Sequence, residues 1–302
     1  MRAISGVHAA VVTPNSEQGH TPDFSAALEL IDFLCAAGVQ GIAIFGTTGE
    51  FAAFSNEHRM RLVHLAVKRS RVPILAGVSH ATLDGALELA REACTAGAAG
   101  LVIMPPFFFR YSQPDVREFF LQFASQMAGS ASLYLYNIPA FTTELACDTA
   151  IELLATGQFA GIKDSSGDFE YFLRLRQLVS PQPFAVLVGN DAVFARARAA
   201  GADGVISGVA SAAPELMLGL NRAIEQSATE TIQALEHELQ ELLAWLGRFP
   251  GPLAIKAAVA ARGLKTGPLR TPCARETLCE LEAFAEWFRG WLPHVQKIAG
   301  NV

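Results

Sequence analysis

The chain has 302 residues, with 23 Lys plus Arg against 29 Asp plus Glu for a formal charge of −6, and it is 51% apolar and 17% charged. That balance excludes intrinsic disorder, and mild acidity without a Lys/Arg-rich run excludes the phosphate-neutralising surface of a nucleic-acid binder. Gly, Pro or a charge breaks every apolar stretch before the roughly 18 to 20 residues that span a bilayer, so no membrane segment is expected.

The start, MRAISGVHAAVVTP, lacks the basic, apolar and cleavage regions of a secretory leader. Five cysteines (Cys35, Cys94, Cys147, Cys273 and Cys279) form no CxxC pair and fall mostly in helix-like stretches, as buried free thiols do. Both features point to a reducing cytoplasm.

In chain order, short apolar runs alternate with longer amphipathic segments. The runs are VHAAVVTP (7–14), VQGIAIFG (39–46), VPILAGV (72–78), GLVIMP (100–105), SLYLYN (132–137), FAGIKD (159–164), FAVLVG (184–189) and GVISG (204–208). Continuous rather than alternating hydrophobicity marks strands covered on both faces, and the helical segments between them supply parallel crossovers. Eight such units predict a (β/α)8 TIM barrel.

A weak repeat supports it: AAGVQGIAI (36–44), TAGAAGLVI (95–103) and AAGADGVIS (199–207) each read as helix end, glycine turn, strand. The competing open, doubly wound sheet lacks its GxGxxG fingerprint after the first strand. Beyond Pro214 the pattern is helical, over 214–226, 228–247, 252–263 and 274–291. The expected organisation is a barrel over 1–225 and a C-terminal helical extension over 226–302, packed as one structural unit without a linker.

In such a barrel, chemistry sits at the carboxyl ends of the strands. Lys163 lies inside FAGIKD, where an unpaired ammonium is costly to desolvate. One reading is a lysine whose lowered pKa leaves a neutral amine, able to attack a carbonyl and form a Schiff base that acts as an electron sink. The other is a lysine paired with Asp164 or a neighbouring carboxylate, or reaching out to the rim. Tyr136 ends the neighbouring strand, where its phenol either transfers protons at the reacting oxygen or fills the barrel mouth with its hydroxyl in water.

The second strand ends in GTTGE (46–50). Gly46 and Gly49 would let backbone amides approach a carboxylate while Thr47 and Thr48 add hydroxyl donors. The alternative is a plain tight turn whose Glu50 caps a nearby amide. His80, after the third strand, reads as a polar loop residue. The seven histidines and the cysteines show no metal-ligand spacing, and neither GxSxG nor GxxxxGK occurs, so neither a metal nor another cofactor is expected. Three phenylalanines in PPFFFRY (105–111) either tuck over the barrel mouth or lie in a subunit contact, and the latter predicts a homo-oligomer.

Together GTTGE, YNIPA (136–140) and GIKDSSGD (161–168), at three strand ends in order, resemble the dihydrodipicolinate synthase and N-acetylneuraminate lyase family of Schiff-base (β/α)8 lyases. The resemblance runs from about residue 4 to about residue 290 and includes GNDAVF (189–194), GADGVISG (201–208) and KAAVAARGLKTGPLRTP (256–272). It implies that Lys163 forms an imine with pyruvate or another 2-oxo acid and that Tyr136 donates and accepts the proton. It further implies that Thr47 links that tyrosine to an outer relay, that Thr48 holds the carboxylate, and that the backbone at Ile206 lies against the oxo acid. A homodimer or homotetramer is implied as well.

Three departures bear on substrate. Where synthases of the family carry an arginine for the aldehyde's carboxylate this chain has Phe141, which supplies no charge-assisted fork. Phe108 stands where the relay tyrosine of a neighbouring subunit would be, and Ala192 follows GND where a neuraminate lyase carries an acid. The pattern resembles the branch acting on 2-keto-3-deoxy sugar acids, with Ser165, Asn190, Asp191 and Ser207 as holders of distal hydroxyls or, equally, as solvated loop residues. The expected activity is retro-aldol cleavage to pyruvate and an aldehyde. The alternatives are dehydration or synthase-type condensation on the same imine, or a catalytically silent oxo-acid-binding relative.

Overall fold

The computed structural model describes residues 4–19, 21–178 and 183–300. Eight parallel strands close into one barrel in sequence order. They are β1 (Gly6–Ala10), β2 (Gly41–Ile44), β3 (Ile74–Gly77), β4 (Gly100–Ile103), β5 (Leu133–Asn137), β6 (Gly161–Asp164), β7 (Ala185–Val188) and β8 (Gly204–Ser207). Each falls within the apolar run that predicted it, except that β1 begins one residue earlier, and every strand residue is buried. Both faces being covered is why these runs are continuously apolar.

Around them lie α1 (Phe24–Ala37), α2 (Asn56–Arg69), α3 (Leu83–Ala96), α4 (Gln113–Gln126), α5 (Cys147–Ala155), α6 (Phe169–Arg176), α7 (Phe194–Ala199) and α8 (Pro214–Glu225). Several start on a side-chain oxygen that accepts an otherwise orphaned amide: Asp23 from Ala26, Ser55 from His58, Thr82 from Gly85 and Asp168 from Tyr171. The repeated glycine turns are real, since Gly38 and Gly97 close α1 and α3 in the left-handed conformation.

Strand register settles what fills the barrel. Parallel neighbours paired in register point to the same side, and a chain of such pairs runs from Tyr136 to Lys163 to Leu187, on to Gly204 and, two residues along, to Ile206, His8 and Gly41. At the floor, glycine is required: a Cβ on Gly41 would collide with the His8 ring, and one on Gly100 would lie 2.8 Å from the Tyr134 ring. Small residues on some strands make room for large ones on others, leaving a packed floor and a rim at the carboxyl ends.

After α8 come α9 (Thr229–Leu246), α10 (Leu253–Ala261) and α11 (Arg275–Ala299), with α9 and α11 packed on α8 and α10 packed on α11. The last helix outruns the segment expected from sequence by continuing through Pro293. That proline removes a donor to the carbonyl of Arg289, which is exposed, while Trp291, Val295 and Ala299 keep the apolar face buried beyond it. All five cysteines are free thiols. Among the described residues no helix is long and apolar enough to cross a membrane.

Candidate active site

Lys163 and Tyr136 are register partners on β6 and β5, so both side chains project into the barrel. The Lys163 Nζ lies 4.1 Å from the centre of the Tyr136 ring, and the two residues are 5% and 3% exposed. Among the described residues no carboxylate lies within ion-pair distance of that nitrogen. Asp164, one residue on, faces the other way. Its carboxylate accepts from Asn137 Nδ2 (2.8 Å), Ser166 Oγ (2.7 Å) and the Ser166 amide (3.2 Å). Burial pushes the Asp164 carboxyl up, partly offset by those bonds. The pairing of Lys163 with Asp164 that the sequence left open does not occur.

The turn after β2 brings its two threonines to different places. Thr47 Oγ1 is 3.2 Å from the Tyr136 hydroxyl. Thr48 Oγ1 instead points toward the loop after β8, where a Cβ on Gly208 would sit 3.3 Å from it. Tight backbone bonds, Gly49 to Gly46 and Glu50 to Thr47, close the turn, and the Thr13 hydroxyl donates to the Gly49 carbonyl at 2.8 Å. Gly46 has open space at its Cα, as a ligand approach requires, while a Cβ on Gly49 would lie 3.0 Å from the Phe45 backbone.

Of the two readings of this turn, the local cap by Glu50 is not what forms. Glu50 caps no amide; its backbone is left-handed (φ 51°) and its carboxylate forms an ion pair with the buried Lys256 of α10. The sequence reading passed over Lys256, because one lysine in an amphipathic helix carries no signal of burial.

The remaining candidates spread around the rim. Ser165 Oγ is buried without a hydrogen-bond partner among the described residues, beside the Lys163 stem; a Cβ on Gly189 would strike that hydroxyl and come within 2.7 Å of Lys163 Cε. Gly189, also passed over, therefore keeps the space next to the amine clear. Asn190 Oδ1 accepts from the Ala192 amide (3.1 Å) and shapes its own turn. Asp191 and Ser207 are bonded to each other, Asp191 also accepts from the Val209 amide (3.3 Å), and Ser207 Oγ accepts from the Ala210 amide (2.9 Å). Burial drives the Asp191 carboxyl upward, with these donors and Lys163 opposing. Its Oδ1 has no hydrogen-bond partner among the described residues. Ile206 is buried on the inner face of β8. His80 bonds Thr82 in its own loop, away from this group.

A cavity of about 440 Å³ opens off Thr47, walled largely by Phe51, Met104, Phe107, Phe108 and Phe141, with Glu50 and Arg270 as its charged groups. The phenylalanine loop divides its labour. Phe107 packs edge-on to Phe51 (5.4 Å between centroids), whereas Phe108 and Phe109 are 86% and 65% exposed. Phe108 is held left-handed (φ 82°), and Phe141, also exposed, joins the same open face. Among the described residues no cluster of His, Cys, Asp and Glu could hold a metal ion.

The model of the dihydrodipicolinate synthetase family matches residues 3–287. The 4-hydroxy-tetrahydrodipicolinate synthase of Methanothrix thermoacetophila is 32% identical over 271 residues, which is 89% of this chain and 90% of that one. Among solved structures, dihydrodipicolinate synthase from Aquifex aeolicus superposes with a TM-score of 0.88 at 25% identity, covering 96% of this chain and 99% of that one. The 2-keto 3-deoxygluconate aldolase from Picrophilus torridus gives 0.84 at 25% identity, with coverages of 90% and 97%. Fold and relatives define a (β/α)8 lyase of the class I aldolase type. The chain belongs to the dihydrodipicolinate synthetase family.

Proposed function

We propose that this lyase cleaves a 2-keto-3-deoxy acid to pyruvate and an aldehyde through an imine on Lys163. The observation that carries the reading is the buried Lys163 amine beside the Tyr136 ring, with no carboxylate among the described residues in ion-pair distance to hold it as a spectator. The free amine adds to the substrate's C2 carbonyl, and loss of water gives the imine. Tyr136 takes the proton of the C4 hydroxyl while its own passes to Thr47 and the Thr47 proton moves on to solvent water, and the C3–C4 bond breaks. The aldehyde leaves, and the electron pair of that bond moves into the protonated imine to form an enamine. Tyr136 gives the proton it took to C3 and regains one from water through Thr47, and hydrolysis then releases pyruvate and restores the lysine.

Thr48 and the amides near Gly46 hold the carboxylate, with the Ile206 backbone against the oxo acid. Ser165, Asn190, Asp191 and Ser207 hold distal hydroxyls, and the unpartnered oxygens on Ser165 and Asp191 favour that role for the pair. No metal or cofactor enters these steps. The exposed Phe108, Phe109 and Phe141 support a homodimer or homotetramer, and the chain's place is the cytoplasm. Synthase-type condensation is the second reading, favoured by the relatives' names but opposed by Phe141, whose ring offers no bidentate partner to an aldehyde's carboxylate. Dehydration would use the same imine.

Incubation with pyruvate followed by borohydride and mass spectrometry tests the imine: the expected result is a stable adduct on Lys163, and a folded protein without one overturns the proposal. Turnover of 2-keto-3-deoxy acids against condensation with aspartate semialdehyde then separates the two readings.

A further inference from the structure

The C-terminal extension reaches the site at one buried point. Lys256, on α10, is 2% exposed, and its ammonium pairs with Glu50, whose carboxylate is itself largely covered. No other hydrogen-bond partner reaches the Lys256 nitrogen among the described residues. Glu50 ends the turn whose second residue, Thr47, bonds the Tyr136 hydroxyl, and its left-handed backbone is a conformation that non-glycine residues adopt only when their surroundings impose it.

Neighbouring groups press on the same place. Ile255 Cδ1 would lie 3.2 Å from a Cβ on Gly208, on the loop that Thr48 also touches. The carbonyls of Thr266 and Pro268 accept from the backbone and side chain of Asn15, at 2.9 and 2.8 Å, and Arg270 donates to the carbonyls of Gly19 and Ala53. The loops after β1, β2 and β8 are thus all braced from the segment 255–270.

We infer that Lys256 is a positioning residue of this enzyme: its ion pair with Glu50 fixes the turn that sets Thr47 against Tyr136, making the helical extension part of the proton-transfer apparatus. The inference rests on the imine reading above. Thr47 has no second anchor for its hydroxyl among the bonds found, so its placement depends on the turn, and the turn's strained residue depends on a charge contributed from outside the barrel. Imine formation on Lys163 needs none of this, because that side chain is placed by β6 and by the space above Gly189.

The two steps can be read separately. Borohydride trapping with pyruvate reports the imine, and exchange of pyruvate methyl protons in D2O reports proton transfer. In Lys256→Met the adduct should still form while exchange and turnover fall about 10- to 100-fold, the scale of a small misplacement of a reacting group, and Lys256→Arg should restore most of the loss. A folded Lys256→Met that exchanges as fast as the wild type overturns the inference, and so does one that loses adduct and exchange together.

Should that variant fail to fold, the Glu50→Gln/Lys256→Met double variant leaves no unpaired buried charge and faces the same two outcomes. A wild type that gives no adduct would defeat the functional reading instead. The positioning claim would then be judged on crystal structures of the wild type and the double variant: Thr47 displaced from the Tyr136 hydroxyl supports it, and an unchanged turn sinks it.

Discussion

Two lysines are buried in this molecule, and they sit in opposite circumstances. Lys256, on a helix outside the barrel, is matched by the Glu50 carboxylate. Burial and Arg270 lower its pKa while Glu50 opposes them. Lys163, on a strand inside the barrel, has an aromatic face beside it and, among the described residues, no carboxylate in ion-pair distance. Burial alone therefore does not mark a reactive amine. A buried ammonium matched by an acid is a structural brace, whereas one left beside a phenol without an acid is available to a carbonyl.

The contrast is broken most directly at its reactive end. Lys163→Ala should abolish both the borohydride-trapped adduct and turnover, with circular dichroism unchanged; surviving turnover would move the chemistry elsewhere. Tyr136→Phe should keep the adduct but slow turnover about 10²- to 10⁴-fold, the usual worth of general acid/base help. A steady-state assay showing less than tenfold loss would reduce that phenol to packing.

At the structural end, Glu50→Ala leaves the Lys256 charge buried without its partner and should cost about 3 to 5 kcal/mol. Urea unfolding measures it, and a loss within experimental error would mean that the pair braces nothing.

A third buried nitrogen sharpens the comparison. His8, on the barrel floor, has its pKa lowered from 6.5 to about 4, chiefly by burial. The folded value lies below the unfolded one, so the native state is favoured above pH 6.5 and loses that advantage as the pH falls from about 6.5 to 4. The gap amounts to about 3 kcal/mol. Replacing His8 with Asn should flatten the fall in melting temperature over that window, and an identical acid limb in both proteins would refute the assignment. Like Lys163, His8 is interior, but its ring fills the space that Gly41 leaves, so no ligand can reach it.

Lys163 and Tyr136 were legible because each breaks an apolar strand at the carboxyl end, and in a parallel barrel that end is the open one. The partner of Glu50 was illegible because an acid at the end of a Gly/Thr turn has the form of a local cap, and Lys256 is far away in the chain. Gly189 was silent for a related reason: what it makes room for, the Ser165 hydroxyl and the Lys163 stem, belongs to another strand. The phenylalanine loop could be read only as a cluster, since nothing local says that Phe107 turns inward while Phe108 and Phe109 turn out.

By itself the sequence determined the eight strands, the helices between them and the rim that bears the amine and phenol, because periodicity and burial on both faces are properties of short segments. Only the tertiary structure decided which buried charge has a counter-ion, which hydroxyl meets Tyr136 and where the extension touches the barrel. Those outcomes depend on distances between residues that the chain holds far apart, and an electrostatic or hydrogen-bonded pair exists only once folding has brought both members out of water together.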